Sequence, residues 1–281
     1  MRQLSRDPDT RRGVYGLTLE GLDTLAQWLV EAPAHWPIVE VVVHVTAHSG
    51  EVLDRIGPDR SSLPLPSGGS VVMDRVDRRV VVSAPSDLGD AVIHPILAPV
   101  ATMFARWFGW ESFHAGGLVL GDGVWGIIGP RGAGKSTMLA QLTLLGYSVA
   151  SDDVMVVSGT SAFAGPRSLD LRSSAASALK IGVPLGVVGA RERWRVQLES
   201  VAAELPMRGW VELTWDNSIS AQLVAPSDRL SRLVLHRGIR LPPADPKVLL
   251  GFAALPYWEF RRPRDWSASA TSAAALVDII S

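Results

Sequence analysis

The sequence predicts an α/β protein, and three observations lead to that class. Segments rich in Val and Ile alternate along the chain with segments in which apolar residues recur at helical spacing. A glycine-rich turn lies between one strand-like and one helix-like segment, at residues 124–145. Hydrophobic residues make up 47% of the 281 positions and charged residues 20%, a composition that supports a substantial buried core.

Residues 1–90 are predicted to form a small N-terminal α/β domain. A helix is indicated where leucines recur at helical spacing, strands where β-branched residues dominate, and a loop where Pro, Ser and Gly are frequent. The predicted elements are a helix at 18–31, a strand at 38–45, a loop at 57–69 and a hairpin with strands at 71–76 and 79–83.

Residues 91–281 are predicted to form a larger second domain. Asp-Gly and Asp-Asn pairs mark two tight turns, and Gly146 suits the end of the helix that follows the glycine-rich turn. The predicted elements are helices at 91–109, 136–145, 175–180, 227–235, 247–255 and 268–280, extended segments at 147–150, 154–157 and 168–172, and hairpins at 112–128 and 210–224.

Charge and cysteine content narrow the classes of function. The formal net charge is -1, from 27 basic and 28 acidic residues, so the overall charge favours neither nucleic acid nor an anionic membrane as partner. The sequence holds no cysteine, which excludes disulfides, thiolate nucleophiles and cysteine-bound zinc. The first residues lack the apolar segment of a signal peptide, and prolines and an arginine interrupt the apolar run at 93–110. We therefore expect a cytoplasmic protein.

The turn at residues 129–136, here called the phosphate loop, fits the pattern G-x-x-x-x-G-K-[S/T]. The residues predicted to bind a nucleotide are Gly129, Arg131, Gly132, Ala133, Gly134, Lys135, Ser136 and Thr137. Glycines allow backbone N–H groups to turn around a phosphate, and the helix N-terminus adds partial positive charge. Lys135 is placed to reach the β- and γ-phosphates of ATP, and the Ser136 hydroxyl to bind Mg²⁺. A chance glycine turn is the alternative, which the strand and helix on its two sides disfavour.

Two aspartates end the strand that follows the phosphate-loop helix. Asp152 and Asp153 lie 17 and 18 residues after Lys135, at the carboxyl edge of the predicted sheet, where ligand sites of α/β proteins lie. One carboxylate would hold Mg²⁺ or its waters while the other accepts the proton of an attacking hydroxyl. A solvated Asp-Asp turn is the alternative, which the neighbouring phosphate loop disfavours.

Three further features stay open at the level of sequence. His114 lies on the strand predicted to pair with the one entering the phosphate loop, where it would contact the γ-phosphate, orient Asp153 or only pack. The basic segment 191–195 would bind a phosphate or an acidic peptide end, or form a solvated strand. The basic cluster 261–264 suits a solvated face better than a docking surface for substrate.

The order of these motifs resembles the catalytic core of HPr kinase/phosphorylase. The matching segments are residues 113–116, 129–136 and 146–153, within a likeness that covers roughly residues 95–175. The resemblance implies a fold like that of phosphoenolpyruvate carboxykinase and HPr kinase, and an enzyme that uses ATP and Mg²⁺.

The resemblance also implies roles for single residues. Lys135 would bind phosphate, Ser136 would bind Mg²⁺, and His114 would contact the transferring phosphate. Asp153 would be the base toward a substrate serine, while Asp152 would assist it or bind the metal.

The chain departs from that family after the aspartate pair. The long glycine-rich signature is absent, and only residues 169–172 are similar to its beginning, which makes Asp170 a further candidate metal ligand. The sequence is more similar to the HPr-kinase-like proteins found with ribosomally made peptides, lasso peptides among them, where a serine of the precursor is phosphorylated. We therefore expect an ATP-dependent serine kinase that acts on a peptide or small protein.

Two other functions stay open. One is an HPr serine kinase/phosphorylase of sugar regulation. The other is a non-catalytic, nucleotide-gated module that presents a peptide to other enzymes. HPr kinases assemble as hexamers, so the resemblance also leaves a homo-oligomer open for this chain.

Overall fold

The computed structural model describes residues 10–46, 52–66, 68–188 and 191–281. Within these ranges the protein is a mixed α/β structure with one seven-stranded, one nine-stranded and one three-stranded sheet. The helices are α1 (Leu97–Trp107), α2 (Lys135–Leu144), α3 (Ser173–Leu179), α4 (Pro226–Val234), α5 (Pro246–Ala254) and α6 (Ser269–Ile280), with 3-10 helices at Asp23–Trp28 and Gly89–Val92. The structure thus has the α/β class that the sequence predicts.

The seven-stranded sheet is formed by the N-terminal part of the chain. Its strands are β1 (Arg12–Val14), β2 (Leu17–Glu20), β3 (Val30–Glu31), β4 (Ile38–Val45), β5 (Arg60–Pro64), β6 (Ser70–Asp74) and β7 (Arg79–Ala84), in the spatial order β3-β1-β2-β4-β7-β6-β5. The central strand β4 runs parallel to β2 and to β7, and β6 and β7 form the predicted hairpin.

The prediction of a helix at residues 18–31 is wrong. β2 occupies its first residues, and the first 3-10 helix and β3 follow. Gly21 has a φ of +85°, and a Cβ there would lie 2.2 Å from the carbonyl oxygen of Val41, so the chain turns where a helix would continue. The leucines of this segment are buried all the same, at Leu17, Leu19, Leu22, Leu25 and Leu29. Burial against the sheet therefore outweighs the helical spacing. The loop predicted at 57–69 likewise contains a strand, β5.

The nine-stranded sheet carries the phosphate loop. Its strands are β8 (Glu111–Phe113), β9 (Gly116–Leu120), β10 (Gly123–Ile128), β11 (Val149–Ser151), β12 (Met155–Ser158), β13 (Ser161–Phe163), β17 (Glu204–Trp215), β18 (Ser220–Leu223) and β19 (Tyr257–Arg262). β10 and β19 both run parallel to β17, which lies between them, and β9 is antiparallel beside β10. The carboxyl ends of three parallel strands therefore meet at the sheet edge where the phosphate loop begins.

One predicted hairpin is confirmed in part and the other is wrong. β9 and β10 form the predicted antiparallel hairpin, with Leu120 opposite Gly123. The strand predicted at 112–120 is interrupted at His114, because β8 pairs with β12 whereas β9 pairs with β10 and β11. The strands predicted as a hairpin at 210–224 do not pair, because β19 lies between β17 and β18. Tyr257 and Phe260 of β19 are 0% and 1% exposed, so this distant strand fills the core in a way that local spacing does not register.

The three-stranded sheet consists of β14 (Ser168–Leu171), β15 (Val183–Val188) and β16 (Arg191–Gln197), with β16 at its centre. A buried ion pair joins two of its strands: Arg195 donates from Nε and Nη2 to the two carboxylate oxygens of Asp170, at 2.8 and 2.9 Å. Arg195 Nη1 also donates to the carbonyl oxygen of Asp90, at 3.0 Å. The pair therefore ties the small sheet to the segment that precedes α1.

α1 packs into the core of the seven-stranded sheet. One hydrophobic cluster contains Val39 and Val71 of that sheet, Val100 and Phe104 of α1, and Val156 of β12. Hydrophobic packing therefore crosses residue 90, and the domain boundary there stays a prediction. Among the helices of the described residues, none is long and apolar enough to cross a membrane.

Arg195→Met is expected to lower the free energy of unfolding by about 3–5 kcal/mol, because the Asp170 carboxylate is then buried without its partner. The double variant Arg195→Met/Asp170→Leu is expected to recover most of this loss, because apolar groups can replace a buried pair. Denaturant unfolding of the three proteins measures both effects. A single variant as stable as the wild type would contradict the structural role of the pair.

Candidate active site

The phosphate loop is held by buried elements on both sides. All six residues of β10 are buried, and Leu139 of α2 is 0% exposed. Gly129 has a φ of +145°, and a Cβ there would lie 2.8 Å from the carbonyl oxygen of Leu213. Glycine therefore suits the point at which the loop leaves β10, since it lacks the Cβ that would clash.

The loop offers backbone donors and one buried cation. Gly134 is the N-cap residue of α2, and no side chain of the described residues caps the first N–H groups of that helix. These groups can donate to an anion. Lys135 is 9% exposed, and its Nζ donates to the carbonyl oxygen of Gly129 at 2.9 Å. Burial lowers the pKa of Lys135, although Asp152 and Asp153 oppose this shift. The arrangement suits a phosphate chain.

Two side chains at the ends of neighbouring strands hold the backbone of the loop. Arg262, the last residue of β19, donates from Nη2 to the carbonyl oxygen of Ala133 at 2.7 Å. Trp215, the last residue of β17, donates from Nε1 to the carbonyl oxygen of Gly132 at 3.1 Å. The Arg262 guanidinium lies 3.9 Å from the centroid of the Trp215 ring, and burial lowers its pKa to about 10. The C-terminal basic cluster therefore contributes one buried residue to the loop rather than only a solvated face.

Asp152 contacts the phosphate loop directly. Its Oδ1 accepts a hydrogen bond from the Ser136 hydroxyl at 2.9 Å. Burial and the charge of Asp153 raise the pKa of Asp152 to about 7, although the bond from Ser136 opposes the shift. A hydroxyl and a carboxylate are oxygen ligands of the kind that Mg²⁺ takes together with phosphate oxygens, so the pair fits this ion. Within the described ranges, no group of three or more His, Asp or Glu side chains is arranged to hold a metal ion.

Two histidines from distant parts of the chain lie beside Asp153. Asp153 has a φ of +67° at the bend between β11 and β12. His114 Nδ1 donates to its backbone oxygen at 2.8 Å and lies 3.4 Å from its Oδ1. His94 Nδ1 lies 3.7 Å from its Oδ2. Burial lowers the pKa of both histidines, so the neutral rings predominate at pH 7 and each donates from one nitrogen.

Asp170 lies in the same pocket as Ser136, Asp152 and Asp153. Each of its oxygens already accepts a hydrogen bond from Arg195. A carboxylate has about four lone-pair sites, so each oxygen keeps capacity for a second partner. Its role as a further metal ligand stays a prediction.

The structure brings the other predicted residues to one edge of the nine-stranded sheet. Ser136 donates to Asp152 there and His114 lies beside Asp153, while Lys135 donates to Gly129 within the phosphate loop. The remaining predicted nucleotide-binding residues lie in the phosphate loop or at the start of α2, namely Gly129, Arg131, Gly132, Ala133, Gly134 and Thr137. The chemical roles of all of them stay predictions.

Sequence reasoning missed three side chains of this region. His94 comes from the segment before α1, Tyr15 from the turn between β1 and β2, and Trp215 from the end of β17. His94 and Tyr15 line the pocket that contains Asp152 and Asp153. Tyr15 is 2% exposed, and burial raises its pKa well above the ordinary value. No local pattern marks these residues, because they meet the site only through the fold.

Comparison with known proteins adds a distant structural similarity. No protein-family model and no curated protein matches the sequence. Solved structures do align with the chain, among them the structure of the Hpr(Ser) kinase/phosphatase from Coxiella burnetii. That protein is 14% identical, and the alignment covers 60% of this chain and 95% of that chain with a TM-score of 0.28. No residue role follows from a similarity at this level.

Asp152→Asn is expected to stabilise the nucleotide-free protein at neutral pH. Folding raises the pKa of Asp152 from its ordinary value of 3.8 to about 7, so the folded protein binds this proton more tightly than the unfolded chain. The stability that this proton gives the wild type is fully present below pH 3.8 and is lost as the pH rises to 7. The variant's advantage over the wild type is therefore expected to grow by roughly 2 kcal/mol between about pH 5 and pH 7, then to level off. Denaturant unfolding of both proteins across this pH range tests the prediction. A difference in stability that does not change with pH would contradict the raised pKa of Asp152.

Arg262→Met is expected to weaken the predicted binding of Mg·ATP by roughly tenfold or more. The Ala133 carbonyl then loses a charge-assisted hydrogen bond worth about 1.5–3 kcal/mol, and the loop is less well fixed. Arg264→Met is the matched control, because Arg264 belongs to the same basic cluster but is exposed. Titration calorimetry compares the two, and equal affinities would show that Arg262 does not support the loop.

Proposed function

We propose that the protein is an ATP- and Mg²⁺-dependent kinase that transfers phosphate to a serine hydroxyl of a peptide or small protein. One observation carries the proposal: the phosphate loop and the aspartate pair converge, with the Ser136 hydroxyl 2.9 Å from Asp152 and Asp153 beside it. A module that only binds nucleotide has no use for a second carboxylate next to the metal site, whereas hydroxyl transfer needs a base there.

The phosphate loop binds the triphosphate of ATP through its backbone N–H groups and Lys135. Ser136 and Asp152 would hold Mg²⁺, which would supply positive charge to stabilise the phosphate oxygens. Because burial raises the pKa of Asp152 to about 7 in the nucleotide-free protein, binding of a metal ion there would release a proton at or below neutral pH.

Asp153 receives the proton of the acceptor hydroxyl. Its side chain is 39% exposed, and ring nitrogens of His114 and His94 lie 3.4 and 3.7 Å from its two carboxylate oxygens. The hydroxyl oxygen forms a bond to the γ-phosphorus while the bond from that phosphorus to the β–γ bridging oxygen breaks, and ADP leaves with the electron pair. The protein contributes positioning and electrostatic stabilisation.

Asp153 lies between two pockets, which supports an acceptor of peptide size. The smaller pocket contains Ser136 and Asp152. The larger one, about 460 Å³ in volume, also reaches Asp153 and His114 and extends to β5, α1 and residues 237–239. Apolar side chains line much of it, namely Ile56, Leu63, Met73, Met103, Val154 and Ile239. A segment of several residues bound there can bring a hydroxyl to Asp153 from outside the phosphate pocket.

The acceptor in this proposal is a ribosomally made precursor peptide in the cytoplasm, such as that of a lasso peptide. The support is the similarity of the sequence motifs to HPr-kinase-like proteins of those pathways. Incubation with Mg·ATP and either precursor peptides or HPr, read by intact mass, tests the choice. A gain of one phosphate on HPr alone would assign the protein to sugar regulation instead, and no gain on any acceptor would contradict kinase activity.

Lys135→Ala and Asp153→Asn are each expected to lower phosphate transfer by roughly 10²–10⁴-fold without unfolding the protein. Asp153→Asn is expected to keep its affinity for Mg·ATP, since Ser136 and Asp152 remain, whereas Lys135→Ala weakens it. Asp122→Asn is the matched control, because Asp122 is an exposed carboxylate at the opposite end of β10. Transfer and melting temperature are measured on all three; full activity of either site variant would remove the role given to that residue.

A further inference from the structure

We propose that Arg193 binds the oxygens of the phosphoryl group during its transfer, and that His94 positions Arg193 for this. The inference rests on the proposed function and extends it with a binding group from β16. The sequence left the basic segment 191–195 open between an anion site and a solvated strand, and the contacts of Arg193 favour the anion site.

Arg193 shares the smaller pocket with the residues proposed to hold Mg²⁺ and to act as base. It lines this pocket together with Ser136, Asp152 and Asp153. Its Nη2 lies 3.3 Å from Nε2 of His94, and Nδ1 of the same ring lies 3.7 Å from Oδ2 of Asp153. One imidazole therefore connects the guanidinium to the carboxylate that accepts the hydroxyl proton.

Most donors of the Arg193 guanidinium are free to bind a ligand. Arginine carries five N–H donors in a planar fork. Within the described residues, Arg193 makes one hydrogen bond, to His94, and no ion pair. Its Nε is buried and has no partner among these residues. A buried donor without a partner lowers the stability of the protein. A ligand that places an acceptor oxygen at this Nε would supply the missing hydrogen bond and remove that cost.

Arg195 shows the contrasting arrangement on the same face of β16. Side chains two residues apart on a strand point the same way. Arg195 donates to both oxygens of Asp170 and to the carbonyl oxygen of Asp90, and its side chain is 3% exposed. The donors of Arg195 are therefore used to hold β16 in place. Arg193, two residues earlier on the same strand, has donors that remain available to the pocket.

His94 suits its positioning role because the neutral ring predominates. Burial lowers its pKa, and the charge of Arg193 acts in the same direction. A neutral ring that accepts a hydrogen bond from Arg193 at Nε2 carries its proton on Nδ1, which faces Asp153. The ring thus accepts a hydrogen bond from the guanidinium and turns its N–H toward the base without adding charge.

The charges of the pocket give Arg193 a specific task. Asp152 and Asp153 repel an incoming triphosphate, and Asp170 is already paired with Arg195. Lys135 supplies positive charge from the phosphate loop, whereas Arg193 supplies it from the other wall, next to the base. As the acceptor oxygen bonds to phosphorus and the bridging oxygen leaves with its electron pair, the three equatorial oxygens keep their charge. A planar guanidinium matches two such oxygens better than an ammonium does.

Fluoroaluminate bound with Mg·ADP is the probe for this site, because it imitates the planar phosphoryl group. Titration calorimetry measures Mg·ADP affinity with and without it. The wild type is expected to bind Mg·ADP more tightly in its presence. Arg193→Met is expected to bind Mg·ADP alone with an affinity within about threefold of the wild type. The increase in affinity caused by fluoroaluminate is expected to be roughly tenfold or more smaller in this variant. Arg208→Met, which changes an exposed arginine paired with Asp122, is expected to keep the whole gain.

The possible results separate this inference from the proposed function. A full gain in Arg193→Met overturns the inference. A wild type that binds Mg·ADP but gains nothing from fluoroaluminate also overturns it and leaves the nucleotide site standing. A wild type that binds no Mg·ADP overturns the proposed function itself. If Arg193→Met melts well below the wild type, Arg193→Lys separates the two roles. A phosphoryl-binding role predicts that fluoroaluminate increases the Mg·ADP affinity of Arg193→Lys only in part, whereas a purely structural role predicts the full increase.

Discussion

The hydrogen bond from Ser136 to Asp152 joins the two halves of the candidate active site. Ser136 begins the helix after the phosphate loop, and Asp152 ends the next strand, so their contact requires both elements to be packed against the same sheet. Burial beside Asp153 makes ionisation of Asp152 unfavourable. A divalent cation would reverse that balance, because it would supply the positive charge that the nucleotide-free site lacks beside the two carboxylates.

The sheet edge collects side chains that are far apart in sequence. The parallel arrangement of β10, β17 and β19 brings Trp215 and Arg262 to the loop that follows β10. Both donate to carbonyl groups of that loop, and they stack on each other. The loop is therefore supported by the ends of its neighbouring strands as well as by its own glycines. In the proposed function, such support would limit the reorganisation needed to bind a phosphate.

The other wall of the site comes from segments without a recognisable motif. Tyr15 lies in the turn between β1 and β2 of the N-terminal sheet, His94 precedes α1, and Arg193 lies on the small third sheet. The buried pair of Arg195 and Asp170 holds that third sheet near the aspartates. The N-terminal sheet and its turn thus contribute to both pockets around the proposed base, and in the proposed function this part of the chain would contact the substrate.

The sequence by itself determined the phosphate loop, the aspartate pair and the α/β class, because local chemistry fixes them: a glycine turn between strand and helix is recognisable from adjacent residues. It also placed β4 and the helices α4, α5 and α6 closely. The tertiary structure decided what depends on long-range burial. Residues 18–31 form strands and a 3-10 helix despite their helical spacing, and β19 lies between the two strands of a predicted hairpin. His114 lies outside the strands and contacts Asp153. Pairing between distant strands and contacts such as that of Arg193 with His94 depend on the whole core, so no window of sequence encodes them.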